Sequence, residues 1–174
     1  MGVYIRSIKP TKFLNTFEDV NAQNEEVVAN AFPLYCLGGF EPTKHLTQFQ
    51  WGYWECESGG KSMVNVPYSM WGAFRDFLAY LVDESYKSED FWHNSNDEFV
   101  NKPFYELINF ADNEGAFDYT ICEELLKDFT EYYDKAHQLY DNNVEEMQLS
   151  WDCYNNIMNV IKECVECKGV VYFS

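Results

Sequence analysis

The sequence predicts a single α+β domain over residues 1–174, with N-terminal antiparallel strands packed against three main helices and a short C-terminal strand. Three observations lead there. Alternation of apolar and polar residues, the period of a half-buried strand, concentrates in the first third of the chain. Later, apolar residues recur three and four apart, the period of one helix face. Neither a linker nor an internal repeat divides the chain, and strands followed by helices is the order of an α+β fold rather than a doubly wound sheet.

Taken in order, residues 2–8 (GVYIRSI) alternate, with Val3 and Ile5 on one face, and read as a strand that Pro10 stops. Residues 13–31 are weakly patterned, a loop or a short helix. Residues 32–37 are apolar and close on Gly38-Gly39, which suggests a second strand. Phe49, Trp51 and Tyr53 alternate along QFQWGYWECE as a third strand, and residues 57–61 read as the turn after it. Residues 67–82 follow helical spacing through Trp71, Phe74, Leu78 and Leu81, with Pro67 or Ser69 at the start.

Residues 83–99 hold six carboxylates and one lysine and read as an exposed loop. A short helix is expected over 103–110 with Pro103 in its first turn, followed by a turn at 112–118. Thr120 and Glu123 form a capping box. Beyond them Ile121, Leu125, Phe129, Tyr132, Ala136 and Leu139 or Tyr140 make an amphipathic stripe. Val144, Met147, Trp151, Tyr154, Met158, Ile161 and Val165 place a last helix on one face. Lys168-Gly169 ends it, and residues 170–173 return as a strand.

Hydrophobic residues make up 47% of the chain and aromatics 18%, enough to build a core and to exclude disorder. The formal charge is −17, with arginine only at Arg6 and Arg75. Such a surface repels nucleic acid and anionic lipid and attracts basic partners or cations. Residues 1–10 lack the continuous apolar stretch that secretion needs, and no run reaches the length of a spanning helix. A cytoplasmic protein without membrane or direct nucleic-acid binding is therefore expected. Its six cysteines then read as mostly free, buried thiols.

Several short motifs fall short of a chemistry. ESGGKS (57–62) ends like a phosphate loop, but position 55 is Glu where that loop needs glycine. The segment from Asp112 to Glu123 has carboxylates at the first, third and last positions of a calcium loop, but Phe117 replaces the required glycine. Cys164 and Cys167 have metal-like spacing without a second ligand pair. No cofactor, metal or catalytic set is expected. One arrangement stands out: Arg75, flanked by Phe74 and Phe77, would gain from a carboxylate partner, and Asp112 and Glu114 in the glycine turn can supply it.

Residues 102–136, KPFYELINFADNEGAFDYTICEELLKDFTEYYDKA, resemble a segment of uncharacterised proteins from bacteria and their phages. That segment reads P-F-x-E-L-I-x-F-S-D-C-E-G, then an apolar helix ending in K-L-x-x-D-F. Pro103, Phe104, Glu106, Leu107, Ile108, Phe110, Asp112, Glu114, Gly115, Leu126, Asp128 and Phe129 match it. Residues 68–78 are similar to that family's aromatic-then-Arg helix, and residues 151–173 to its closing helix, glycine and strand. Asn113, Ala111 and Ser174 stand where the family has Cys, Ser and His. The resemblance implies a small cytoplasmic accessory protein of phage or mobile DNA and brings no activity with it.

These readings converge on a non-catalytic binding protein that engages a host defence protein or sequesters a small signalling molecule. Tyr68, Arg75, Asp112 and Glu114 are its expected ligand-binding residues. A metal-assisted hydrolase using Asp112, Glu114 and Asp118 is the first alternative. An acidic DNA mimic is the second, since residues 112–134 carry eight carboxylates and one lysine.

Overall fold

A computed structural model describes residues 2–19, 25–36, 45–92, 97–110, 115–142 and 144–174. Strands β1 (Gly2–Asn15), β2 (Phe32–Leu34), β3 (Gly52–Pro67), β4 (Gly115–Asp118) and β5 (Val170–Phe173) form one antiparallel sheet in the order β2-β3-β1-β5-β4. The helices are α1 (Glu25–Val28), α2 (Tyr68–Val82), α3 (Ser88–Trp92), α4 (Asp97–Val100), α5 (Tyr105–Asn109), α6 (Tyr119–Glu131), α7 (Tyr133–Asn142) and α8 (Val144–Cys167). The molecule is α+β, as its sequence predicts.

The helices cover one face of the sheet, and a smaller core covers part of the other, which stays open at Met63 and Asn65. Strand alternation sorts β5 cleanly: Val171 and Phe173 enter the large core beneath the helices, while Val170 and Tyr172 face a smaller one. The large core joins Val3, Ile5, Val64 and Val66 to Trp71, Phe74, Phe104, Phe129, Tyr154 and Ile161. The smaller core gathers Ile8, Leu34, Leu46 and Ala116, with Phe49 and Trp54 against it. Helix α8 lies across β1 and β3 and packs on α2, α6 and α7.

Several elements depart from expectation, each for a physical reason. Pro10 does not stop β1, which runs on to Asn15 paired with β3. Pairing with β5 ends at Ile8, so Pro10 sits where its missing N–H faces no neighbouring strand. Residues 57–61 are not a turn but part of β3. Between Arg6 and Ile8 the β3 partner jumps from Met63 to Ser58, a wide bulge that absorbs Gly59 and Gly60 within one strand.

The 83–99 stretch is not simply an exposed loop. It carries α3 and the start of α4, and Phe91 and Phe99 are buried. Helix α5 begins at Tyr105, after Phe104 in a left-handed conformation (φ 60°), so Pro103 lies outside it. The expected turn at 112–118 is a strand from Gly115 onward, and its other part, 112–114, lies outside the described residues.

The long stripe beyond residue 120 is split at Tyr132 into α6 and α7, and Asp118 rather than Thr120 caps α6. On α8 the buried residues are Cys153, Tyr154, Ile157, Val160, Ile161 and Cys164, with Trp151, Met158 and Val165 at the edge. The helix is covered by the sheet on one side and by α6 on the other, which widens and shifts the buried face. The side chains of Val144 and Met147 lie outside the described set. Lys168 takes the left-handed position at the helix end (φ 50°), and a side chain on Gly169 would run into the Ile8 carbonyl.

Candidate functional site

Arg75 is 4% exposed, on the buried face of α2. Its guanidinium lies 4.9 Å from the Trp92 ring and 5.7 Å from the Trp71 ring, and Nη1 donates to the carbonyls of Phe110 (3.1 Å) and Ile108 (3.4 Å). Trp92 Nε1 donates to the same Ile108 carbonyl at 3.0 Å. Arginine suits this place because a planar, weakly hydrated cation can stack on indoles while serving carbonyls at its edge. The cluster ties α2 and α3 to the end of α5. Tyr68 opens α2 at the surface, two turns from Arg75. Asp112 and Glu114 lie outside the described residues.

Asp118 is fully buried, and its two oxygens are engaged. Oδ1 accepts from Thr120 N and Thr120 Oγ1, capping α6, and Oδ2 accepts from Gln48 N (2.9 Å) and Thr47 Oγ1 (3.2 Å). The carboxylate joins the start of α6 to the segment before β3. Among the described residues no group of three or more His, Cys, Asp or Glu side chains is placed to hold a metal ion.

The ESGGKS segment meets an anion after all, and the anion belongs to the chain. The Glu163 carboxylate of α8 accepts from Lys61 N (3.0 Å), Ser62 N (3.0 Å) and Ser62 Oγ (3.0 Å). Backbone amides turned outward by the bulge make a concave anion seat. A Cβ on Gly60 would run into the Glu163 carboxylate, which would have to leave its seat to admit it.

None of the six cysteines is in a disulfide, and Cys36, Cys122, Cys153 and Cys164 are buried. Cys122 and Cys164 place their sulfurs 3.3 Å apart between α6 and α8. Cys167 is half-buried beside Ser7 Oγ at 3.6 Å.

Among the described residues, recesses of about 540 Å³ (Leu126, Thr130 and Val165 among its walls) and about 510 Å³ (Asp76, Tyr80, Glu84 and Ser150 among its walls) open on the helices. Two smaller ones have a polar and an aromatic lining, and sequence reasoning pointed to none of them. The polar one, of about 370 Å³, lies between α5 and α6 and is lined by Asn101, Lys102, Pro103, Glu106, Glu124 and Asp128. Asp128 accepts a 2.8 Å hydrogen bond from Phe104 N, which fixes the left-handed entry to α5. Burial pushes its carboxyl up to about 6, against the lowering effect of that hydrogen bond, and Glu131 and Glu124 push it further. Lys102 projects over the rings of Tyr86 (5.0 Å) and Phe99 (5.4 Å).

The aromatic one, of about 460 Å³, is walled by Phe17, Pro33, Tyr35, Trp51 and Tyr53. Phe17 stands at 83° to Tyr35 and 75° to Tyr53, with centroids 5.8 and 5.0 Å apart. A short turn after β1 presents it: Asn15 Oδ1 accepts from Thr16 N, and Thr16 Oγ1 accepts from Asp19 N. Phe17 is 37% exposed, and Glu18 and Asp19 beside it are exposed carboxylates.

The chain matches no family model, no curated protein and no solved structure. Of these recesses the aromatic one is lined almost wholly by rings. Its four rings come from three separate stretches of chain, the turn after β1, the β2 segment and the start of β3, and they keep part of their surface open. Most other rings of the described chain close on one another in the cores.

Proposed function

We propose that the chain is a non-catalytic binding protein that engages a positively charged partner through the aromatic recess. The observation that carries this reading is the grouping of Phe17, Tyr35, Trp51 and Tyr53 around one cavity on a chain of net charge −17. Aromatic rings supply contact area at low entropic cost, and their faces attract cations. The surrounding carboxylates raise the local concentration of basic molecules and speed their encounter. The resemblance of residues 102–136 adds a setting: a cytoplasmic accessory of phage or mobile DNA that acts on a host protein or sequesters a small signalling molecule. No helix among the described residues is long and apolar enough to cross a membrane, which accords with that setting.

The test is an NMR titration of the intact protein with a basic peptide, a set of small cations and a matched set of neutral compounds. Binding through the recess moves the ring resonances of Phe17, Tyr35, Trp51 and Tyr53 first, and Phe17→Ala weakens it. Should no compound of either charge move these resonances, the reading is wrong.

A further inference from the structure

We infer that Cys122, Cys164 and Cys167 form a thiol relay, in which oxidation by a peroxide closes a disulfide between Cys122 and Cys164 and locks α6 to α8. Cys122 Sγ lies 3.3 Å from Cys164 Sγ, and both residues are completely buried where the two helices pack. The sulfurs need to come about 1.2 Å closer to reach bonding distance, a movement on the scale of side-chain rotation. A buried cysteine usually acts as a small apolar side chain. Two that face each other across a helix pair also hold both halves of a disulfide.

The third thiol connects this pair to solvent. Cys167 ends α8 three residues beyond Cys164, the spacing of neighbours on one helix face. Its sulfur turns back to within 3.5 Å of the Cys164 carbonyl oxygen, and it is half-buried beside Ser7 Oγ. The three lie close enough that charge on Cys164 or Cys167 pushes Cys122 up beyond the effect of burial. A peroxide therefore meets Cys167 first. Hydrogen peroxide oxidises the Cys167 thiolate to a sulfenic acid and is itself reduced to water. The Cys164 sulfur gives up its proton, displaces the hydroxyl as a second water and forms the Cys164–Cys167 disulfide. Cys122 then attacks the Cys164 sulfur and releases Cys167 as a thiol. In sum, two thiols and one peroxide become one disulfide and two waters. Burial raises Cys167 as well, so the relay answers sustained oxidation rather than a brief pulse.

The bond joins positions 42 apart in sequence, on two helices that contribute to the large core. Glu123 and Val165, next in sequence to Cys122 and Cys164, are walls of the 540 Å³ recess between α6 and α8, so the disulfide also fixes the width of that opening. Nothing in this chemistry depends on what the aromatic recess binds. To test it, the reduced protein is held in hydrogen peroxide for hours, remaining thiols are blocked with iodoacetamide, and peptides are mapped by mass spectrometry without reduction. The expected product is a Cys122–Cys164 cross-linked peptide that dithiothreitol reverses, with Cys167 alkylated. Closing a loop of this length should raise the thermal midpoint by about 5–10 °C over the reduced protein.

Cys167→Ser, at a half-buried position, should keep the midpoint of the reduced protein and slow formation of the bond several-fold. Cys122→Ala should trap the Cys164–Cys167 disulfide as the final product. Equal rates in Cys167→Ser and the parent would overturn the relay. A Cys164–Cys167 disulfide as the end product of the parent would overturn the lock, as would a midpoint that falls when the Cys122–Cys164 bond forms. Conversion of Cys167 to its sulfinic acid, with Cys122 and Cys164 still thiols, would overturn both.

Discussion

Asp128 shows how one side chain can be held for its hydrogen bond at a cost in ionisation. Its oxygen fixes the Phe104 amide, yet burial raises its carboxyl to about 6. A carboxyl raised on folding binds its proton more tightly in the native state than in the unfolded chain. Its contribution is therefore largest below the ordinary carboxylate range and is lost as pH climbs from about 4 through about 6. Asp128→Asn keeps an acceptor for Phe104 without the charge. Above pH 7 it should raise stability by roughly 1–3 kcal/mol, and the difference from the parent should vanish near pH 4. Urea unfolding across that range measures it, and a pH-independent difference would refute the assignment. Arg75 predicts the opposite kind of effect. Arg75→Ala removes the donor of the Phe110 carbonyl, leaves the Ile108 carbonyl with Trp92 Nε1 alone, takes the cation from two indoles and should cost roughly 2–4 kcal/mol. Arg75→Lys should fall between the parent and Ala because it lacks the planar fork.

At the level of elements, β3 and α8 are joined by the Glu163 carboxylate in the bulge. Removing it exposes two amides and a hydroxyl and should cost roughly 1–3 kcal/mol. Hydrogen exchange of Glu163→Ala should quicken at Lys61 and Ser62 and leave the amides of β5 unchanged. Gly60→Ala displaces the same carboxylate, so the double variant should be little worse than either single one. Full additivity would mean that the two residues act separately. This bulge also shows where the sequence misleads. Two adjacent glycines between alternating runs read as a hairpin turn, because a turn and a close approach both call for residues without Cβ. What separates them here is a carboxylate about a hundred residues away, which no local pattern contains. Helix α2 was legible to within a residue of its start, expected at Pro67 or Ser69 and found at Tyr68, because Pro67 and the apolar spacing are both local signals. The α6 cap was nearly so, since Asp118 sits two residues from the Thr120 that the pattern suggested.

For the molecule as a whole, a second, smaller core on part of the sheet's other face explains why burial departs from simple stripes, and assembly of distant stretches explains why the aromatic recess was hidden. Its rings lie on three stretches that each read as loop or strand, and only the pairing of β1 and β2 with β3 gathers them. The carboxylates expected to pair with Arg75, Asp112 and Glu114, lie outside the described residues. What the structure places on the Arg75 guanidinium is the pair of carbonyls of Ile108 and Phe110. The thiols give a way to probe the assembled cores. Burial pushes Cys36 and Cys153 up to about 11 and Cys122 well above the usual thiol range, and Cys167 is raised less deeply in the fold. Only thiolates react with iodoacetamide, so access and ionisation act in the same direction. In native buffer Cys167 should be modified well before Cys122 and Cys164, which touch across α6 and α8 and become available only when those helices part. Their labelling in rising urea should follow the unfolding transition seen by Trp fluorescence, with all six sites modified at its end. If Cys122 reacts in native buffer as fast as Cys167, the α6–α8 interface opens independently of the rest, and the large core is two cooperative units instead of one.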